Sequence, residues 1–199
     1  MFVIIDNTWL SSALFNPFSH GADYVVLSLA KYYSGGAAIA GAILTKDQEV
    51  HKTVSYQRIV DGCHVCPAAA LAVTRNLASL DARVRTGSDK THGVLAGLKA
   101  ARHPKICDIR HAEAKGESDL IPSVFTILLK VPSVSRVRKI LPTGRVEYKT
   151  SFGGFTTRFD PFPHKEGEGF VRVRVAIGFD PNELVPDIVK NILDVLDAL

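Results

Sequence analysis

Three short apolar runs near the beginning of the chain predict strands of a sheet: residues 2–5, 24–27 and 39–44. Between the first two runs, residues 11–20 are predicted to be partly helical, and Gly21 is a suitable helix stop. A strand, a helix and a strand within about 25 residues form a β-α-β unit, which joins parallel strands. The pattern therefore predicts an α/β domain built on a parallel sheet.

The pattern of the remaining chain is mixed. A long helix is predicted from Pro67 to about Val84, and a second helix over residues 91–102. A strand, a short helix, a strand and a closing amphipathic helix are then predicted at residues 124–131, 134–141, 170–177 and 186–199. We therefore predict two domains: residues 1–94, which contain the parallel sheet, and residues 95–199, a smaller α+β subdomain.

The composition is that of a soluble globular protein, with 46% hydrophobic and 22% charged residues in a chain of 199. The formal net charge of +4 comes from scattered basic residues without interleaved aromatic side chains, which argues against nucleic acid as a partner. The longest apolar stretch, residues 37–44, is too short to span a membrane, and the first residues lack the pattern of a signal peptide. A binding module for acidic ligands would rest on the net charge alone.

The three cysteines, Cys63, Cys66 and Cys107, do not make a disulfide framework in a chain of this length. Cys63 and Cys66 have the spacing of half a metal site, but no second pair of ligands follows, so we expect no bound metal. Free thiols fit a reducing compartment, and we therefore expect a cytoplasmic protein.

Two ionisable residues stand where the first two predicted strands end. Asp6 follows residues 2–5, and Lys31 comes just after residues 24–27. In open parallel sheets, ligands bind at the carboxyl ends of the strands, so this carboxylate and this amine are expected to face one crevice. An ordinary salt bridge between strand ends is the alternative explanation of the pair.

A series of short motifs carries a resemblance to a known family. In chain order they are Asp6-Asn7-Thr8-Trp9, Gly21-Ala22-Asp23, Ser28-Leu29-Ala30-Lys31-Tyr32, residues 77–83, Ser151-Phe152-Gly153-Gly154 and Arg174-Val175-Ala176-Ile177-Gly178. Together they resemble the cystathionine lyase and synthase family of pyridoxal-phosphate enzymes. A tryptophan at position 9 makes the resemblance strongest to the cystathionine β-lyase branch of that family. The resemblance implies part of a PLP fold type I (aspartate-aminotransferase-like) large domain, followed by an α+β C-terminal subdomain.

The resemblance also implies roles for individual residues. Lys31 would bind the aldehyde of pyridoxal 5'-phosphate and move protons during catalysis, while Asp6 would keep the pyridine nitrogen protonated. Ser28 would hydrogen-bond the cofactor phosphate. Arg174 would bind the substrate carboxylate through its planar fork, with Ser151 beside it. The alternative for Arg174 is an ordinary surface arginine on an edge strand.

The chain departs from the family pattern in three places. Ala30 stands where the family has a phosphate-contacting threonine, Gly36-Ala37-Ala38 replaces a usual His-Ser-Asp, and Asn76 replaces a usual glycine. A missing hydroxyl would cost about 1–3 kcal/mol of cofactor affinity. We also expect the chain to correspond to the second half of a family member, with the phosphate loop and the ring-stacking tyrosine supplied by a preceding half.

Two functions of different classes are therefore predicted. The first is a carbon–sulfur lyase of transsulfuration and methionine biosynthesis, acting on cystathionine or a related amino acid. Its partners would be a sulfur-containing amino-acid substrate and either further copies of the chain in a homo-oligomer or a complementary N-terminal half. The second is a non-catalytic remnant or interaction subunit that retains the fold, which Ala30 and residues 36–38 favour.

Overall fold

The computed structural model of the chain describes residues 2–113, 119–144, 146–164 and 169–199. It divides into two units, Met1–Asp81 and Ala82–Leu199. The division falls within one long helix, and the predicted boundary between residues 94 and 95 lies in that same helix. Within the described residues, the first unit has a three-stranded sheet and the second a five-stranded sheet.

The first unit contains the predicted β-α-β unit. Its elements are β1 (Ile4–Asp6), α1 (Ser11–Leu14), β2 (Tyr24–Ser28), β3 (Gly41–Thr45), α2 (Gln48–Val60) and α3 (Pro67–Leu77). β1 pairs with β2 in parallel, with Ile4 opposite Tyr24 and Asp6 opposite Val26. β3 joins the other edge of β2 and runs antiparallel to it. The predicted α/β fold with parallel strands is therefore confirmed.

The connection from β1 to β2 is only partly helical, as predicted. After the single turn of α1, Asn16 accepts a hydrogen bond from the Phe18 N–H at 3.2 Å and caps a 3-10 turn over Pro17–His20. Gly21 then ends the turn at a φ of +82°, in the left-handed region that glycine adopts without strain. The chain can therefore reverse directly into β2.

Helix α2 was missed by the sequence pattern. Asp47 caps it by accepting hydrogen bonds from the Glu49 and Val50 N–H groups, at 2.9 and 3.2 Å. None of its residues is buried. A helix is predicted from periodicity when its apolar residues form one stripe that faces a core, and α2 has no such stripe.

The predicted helices at residues 67–84 and 91–102 were wrong in their boundaries. The chain instead forms α3, which ends at Leu77, and a second helix, α4 (Leu80–Ala101). The break falls where the Ser79 N–H and hydroxyl both donate to the Asn76 carbonyl, at 3.3 and 3.2 Å, and so satisfy a helix-end acceptor. The polar stretch over residues 85–90 stays helical because Ser88 is fully buried and accepts a hydrogen bond from the Ile121 N–H at 2.9 Å.

The second unit is the predicted α+β subdomain. After α4 come β4 (Ile106–His111), β5 (Val124–Lys130), α5 (Val134–Ile140), β6 (Glu147–Tyr148), β7 (Arg158–Pro163), β8 (Phe170–Ala176) and α6 (Val185–Ala198). The sheet order is β4-β5-β8-β7-β6, and every pairing is antiparallel except β6 with β7. Strands β5 and β8 and helices α5 and α6 confirm the predictions to within about two residues at each end.

One face of this sheet forms the core of the second unit. Phe125, Ile127, Val173 and Val175 point into a cluster that also contains apolar residues of α4, α5 and α6. Helices α4 and α6 approach closely, since a Cβ at Gly97 would lie 2.8 Å from a Val189 methyl carbon. Successive side chains of a strand point to opposite faces, so the polar residues that alternate with these apolar ones lie on the other face of the sheet.

Candidate functional site

Asp6 and Ser28 lie at the same end of the first sheet. In the parallel register Asp6 is opposite Val26, so Asp6, Val26 and Ser28 point to one face. Beyond the strand ends, the Ser28 N–H donates to the Thr8 hydroxyl at 2.8 Å, and the Asn7 N–H donates to the Val26 carbonyl at 3.0 Å. The carboxyl ends of β1 and β2 are thereby joined directly, as the sequence predicted.

Both of these side chains have polar atoms that remain available to a ligand. Asp6 Oδ1 accepts a hydrogen bond from the Thr8 N–H at 2.9 Å, and no ion pair joins Asp6 to any side chain in the described ranges. The Ser28 hydroxyl likewise has no hydrogen bond within the described part of the chain. A carboxylate without a cation and a hydroxyl without an acceptor suit a ligand that carries a protonated ring nitrogen and a phosphate.

Lys31 follows β2 in a tight turn. Its N–H donates to the Ser28 carbonyl at 3.4 Å, and its side chain is half-buried. The turn is anchored by Tyr32 and Tyr33, both buried, and the Tyr33 hydroxyl accepts a hydrogen bond from the Ser12 N–H at 3.2 Å. The fold thus holds Lys31 three residues past the strand end that carries Ser28, and the donor set of these residues fits pyridoxal phosphate.

The proposed carboxylate-binding residues lie in the second unit. Arg174, on β8, stands opposite Asp160 of β7, and Arg174 Nη2 donates to Asp160 Oδ2 at 2.6 Å. The Arg174 Nε atom is buried and has no hydrogen-bond partner within the described residues. Arg172 lies on the same face of β8, where it contacts His164 Nε2 at 3.4 Å. The arginine is therefore partly enclosed rather than an ordinary surface side chain.

The loop that carries Ser151 is fixed to the end of β8. Ser151 has a φ of +85°, which is uncommon for a residue other than glycine. Thr157 joins the two segments: its hydroxyl accepts from the Gly178 N–H at 3.0 Å and donates to Glu183 at 2.7 Å. The two segments can approach this closely because residue 178 is a glycine: a Cβ there would lie 2.2 Å from the Phe155 carbonyl oxygen.

A charged cluster supports the same segment. Lys90 Nζ donates to the Asp180 carbonyl, and Arg83 lies over the Phe179 ring at 5.0 Å. Burial lowers the pKa of Lys90, and the negative charges of Glu183 and Asp180 partly oppose that effect. These contacts order the segment after β8, and neither the contacts nor the roles of Thr157 and Glu183 were predicted from the sequence.

In the first unit, Asp6, Ser28 and Lys31 thus lie at or just after the ends of two paired strands. In the second unit, Arg174 lies on β8, and Ser151 lies in the loop before β7. Asp160 was not predicted as the partner of Arg174, because the two residues are separated along the chain and meet only through the antiparallel register. A single crevice that combines both sets remains a prediction.

The predicted thiol pair has a structural role at the start of α3. Cys63 and Cys66 are both exposed, and Cys66 Sγ accepts a hydrogen bond from the Ala69 N–H at 3.5 Å. Within the described ranges, no cluster of three or more His, Cys, Asp or Glu side chains is suited to hold a metal ion. No described helix combines the length and apolar character needed to cross a membrane.

Comparison with known proteins gives consistent matches. The sequence model of the family described as Cys/Met metabolism PLP-dependent enzyme matches residues 1–120. Cystathionine gamma-synthase of Mycobacterium tuberculosis (strain ATCC 25618 / H37Rv) is 32% identical over 108 residues, which are 54% of this chain and 27% of that protein. Cystathionine beta-lyase of Neurospora crassa is 37% identical over 83 residues, 41% of this chain and 18% of that protein.

Solved structures extend the similarity to the whole chain. A cystathionine gamma synthase from Xanthomonas oryzae pv. oryzae, in complex with aminoacrylate and cysteine, superposes with a TM-score of 0.84 at 22% identity. The alignment covers 100% of this chain and 57% of that chain, so this chain spans little more than half the length of the solved relative. The predicted fold, part of a PLP fold type I domain followed by an α+β subdomain, is confirmed.

Proposed function

Because the chain belongs to the Cys/Met metabolism PLP-dependent enzyme family, whose cofactor is pyridoxal 5'-phosphate, we propose that it serves as a carbon–sulfur lyase of sulfur amino-acid metabolism. The observation that supports the proposal is the position of Asp6 and Ser28 at the joined ends of β1 and β2, with Lys31 in the turn that follows β2. Bound pyridoxal phosphate supplies an electron sink for negative charge at the substrate's α-carbon.

Each of these residues then has one task. The Lys31 amine would hold the cofactor through its aldehyde group and would move a proton at the substrate's α-carbon. The Asp6 carboxylate would accept a hydrogen bond from the protonated ring nitrogen. The Ser28 hydroxyl would donate to a phosphate oxygen, while Arg174 would bind the substrate carboxylate with Ser151 beside it.

The finer assignment is to the cystathionine β-lyase branch. Trp9 favours this branch. The match to the Neurospora crassa β-lyase, which is 37% identical to this chain over 83 residues, also supports it. A cystathionine gamma-lyase and a cystathionine gamma-synthase match this chain at 31% and 32% identity, so γ-cleavage is the alternative to β-cleavage.

The proposed function involves a substrate and a protein partner. We propose a sulfur-containing amino acid as the substrate, and either a homo-oligomer or a complementary N-terminal half as the protein partner, in the cytoplasm. The support is the large apolar surface of the first unit, where Phe2, Ile4 and Ile43 are all more than half exposed.

Cofactor binding gives the first test. Purified chain mixed with pyridoxal phosphate should develop at most a weak absorbance of the lysine-bound cofactor, and Lys31→Ala should abolish it. Lys52→Ala is the matched control, because Lys52 is an exposed lysine that pairs with Glu49 at 2.7 Å. Equal absorbance in the Lys31 and Lys52 variants would contradict the role of Lys31.

The second candidate function, a non-catalytic subunit, is favoured by Ala30 and residues 36–38. The two candidates differ in what a separately expressed N-terminal half does to the chain. A lyase should gain cystathionine cleavage in the mixture, and Ala30→Thr should tighten cofactor binding by about tenfold, since it restores a phosphate donor. A mixture that binds cofactor but never cleaves the substrate would favour the non-catalytic subunit.

A further inference from the structure

Arg158, at the start of β7, is a half-buried arginine that stands opposite Glu147 of β6 in the strand register. Within the described ranges it forms no salt bridge and no hydrogen bond, and its Nε atom is buried. The carboxylate of Glu147 is engaged elsewhere, by the Thr156 hydroxyl at 2.7 Å and by Lys149 at 3.5 Å. A sequestered guanidinium donor without an acceptor is unfavourable, so it calls for an explanation.

The loop that carries Ser151 is shaped to admit this side chain. A Cβ at Gly154 would lie 2.2 Å from Arg158 Nη2 and 2.6 Å from its central carbon. These contacts are far below van der Waals distance, so a side chain at position 154 would displace the end of Arg158. The guanidinium of Arg158 is therefore seated against the backbone of the proposed substrate loop.

Arg158 and Arg174 share one face of the sheet. Arg158 pairs with Ala176 and Asp160 with Arg174, so the two arginines are diagonal neighbours across β7 and β8. Such neighbours begin about 7–8 Å apart, a gap that long side chains can narrow. Asp160 contacts Arg174 at 2.6 Å, whereas Glu147 acts on Arg158 through its charge alone, without a salt bridge or hydrogen bond between them among the described residues.

From this arrangement we infer that Arg158 and Arg174 form a two-arginine site for a small ligand that carries two carboxylates. Arg174 takes one carboxylate in the proposed function, and the guanidinium of Arg158, whose Nε has no hydrogen-bond partner among the described residues, can take a second carboxylate that a short carbon chain joins to the first. The inference rests on the proposed function for the role of Arg174, and it deepens that function: Arg158 selects amino acids with a second carboxylate.

Succinate and acetate are suitable probes, because they differ in the second carboxylate and need no cofactor. In NMR titrations of the whole chain, succinate should bind about tenfold more tightly than acetate. Arg158→Met should remove that advantage and leave acetate binding unchanged. Arg136→Met removes the same charge from an exposed position of α5 and is the matched control.

Gly154→Ala provides a variant that keeps every charge. Its methyl group should displace Arg158 and weaken succinate binding in a chain whose far-UV circular dichroism is unchanged. The inference is overturned if Arg158→Met behaves like Arg136→Met, or if the unaltered chain shows no saturable succinate binding. Failure of the proposed function is seen separately, as retained cofactor absorbance in Lys31→Ala, because the carboxylate titrations do not involve Lys31.

Discussion

In the second unit, β5 and β8 bury alternate side chains in a core closed by helices, whereas in the first unit the strands leave apolar side chains in contact with solvent. Val173 and Val175 are at most 3% exposed, but Ile4 is 64% exposed and Ile43 53%. Most of the large exposed apolar residues in the described ranges precede residue 82. The unit that carries Lys31 is thus the less completely packed of the two.

The difference separates two kinds of contribution to a site. A closed core holds its surface groups rigidly, which suits the recognition of a carboxylate by Arg158 and Arg174. A sheet with uncovered apolar surface gains stability from any partner that covers it. We therefore expect ligand recognition by the second unit to be robust, and cofactor binding by the first unit to depend on the proposed protein partner.

Matched leucine truncations give the largest expected effect and test the comparison directly. Leu129→Ala in β5 should lower the free energy of unfolding by about 4–5 kcal/mol, because its closed surroundings cannot collapse into the cavity. Leu27→Ala in β2 should cost only about 2–3 kcal/mol, since neighbours such as Leu44 are partly exposed and can relax.

The two truncations are measured by chemical denaturation. Far-UV circular dichroism reports on the whole chain, and the fluorescence of Trp9, the one tryptophan of the sequence, reports on the first unit. Equal losses for the two variants would mean that the packing of the units does not differ in the way their exposure indicates.

A methyl group added at Gly178 gives the next effect. Gly178→Ala should destabilise the second unit by about 3 kcal/mol, since the new Cβ meets the backbone of Phe155 and Thr156. Gly41→Ala in the first unit is the matched control: its Cβ would lie 3.5 Å from the Leu27 carbonyl oxygen, an ordinary contact. Thermal unfolding should show a large loss for the first variant and little change for the second.

Sequence patterns predicted the elements whose side chains sort cleanly between core and solvent. β5, β8 and α6 have that alternation or periodicity, and so were predicted to within about two residues. β7 was missed because Pro161, Pro163 and Asp160 interrupt its pattern, although its pairing with β8 is continuous. Local sequence cannot reveal a strand that is specified mainly by its neighbour.

The candidate site divides in the same way. The positions of Asp6, Ser28 and Lys31 at and just after the strand ends were predictable, because strand ends and motifs lie close together along the chain. Arg158 and Asp160 were not, since their significance depends on the register of β7 against β8 and on the space left at one glycine. Buried unpaired donors are a property of the folded chain and have no signature in the sequence.

The hydrogen bonds of Thr157 provide a smaller effect within the well-packed unit. Thr157→Val keeps the shape of the side chain but leaves the Gly178 N–H without its acceptor and Glu183 with only the backbone N–H of residue 157 as a donor. We expect a loss of about 1–3 kcal/mol in the free energy of unfolding. Thr157→Ser, which keeps the hydroxyl, should recover most of it, and a serine variant as unstable as the valine variant would assign the effect to packing.

The smallest expected effect is a change in the free energy of unfolding with pH, caused by the protonation of Glu147. The Thr156 hydroxyl, which donates to the carboxylate at 2.7 Å, lowers the pKa of Glu147 below its usual 4.5, with help from Lys149 and Arg158. The folded chain therefore releases this proton more readily than the unfolded chain, so the stabilisation is complete above about pH 4.5 and is lost as the pH falls through the lower, folded pKa.

Because the Glu147 side chain is 43% exposed, solvent screens most of this interaction and its size should not exceed about 0.5 kcal/mol. Glu147→Gln should flatten that part of the stability profile measured between neutral pH and pH 3. Thr156→Val should flatten it to a similar degree, since it removes the largest cause of the shift while the carboxylate remains. If Thr156→Val leaves the profile of the unaltered chain intact, the charges of Lys149 and Arg158 govern Glu147 instead of the hydroxyl.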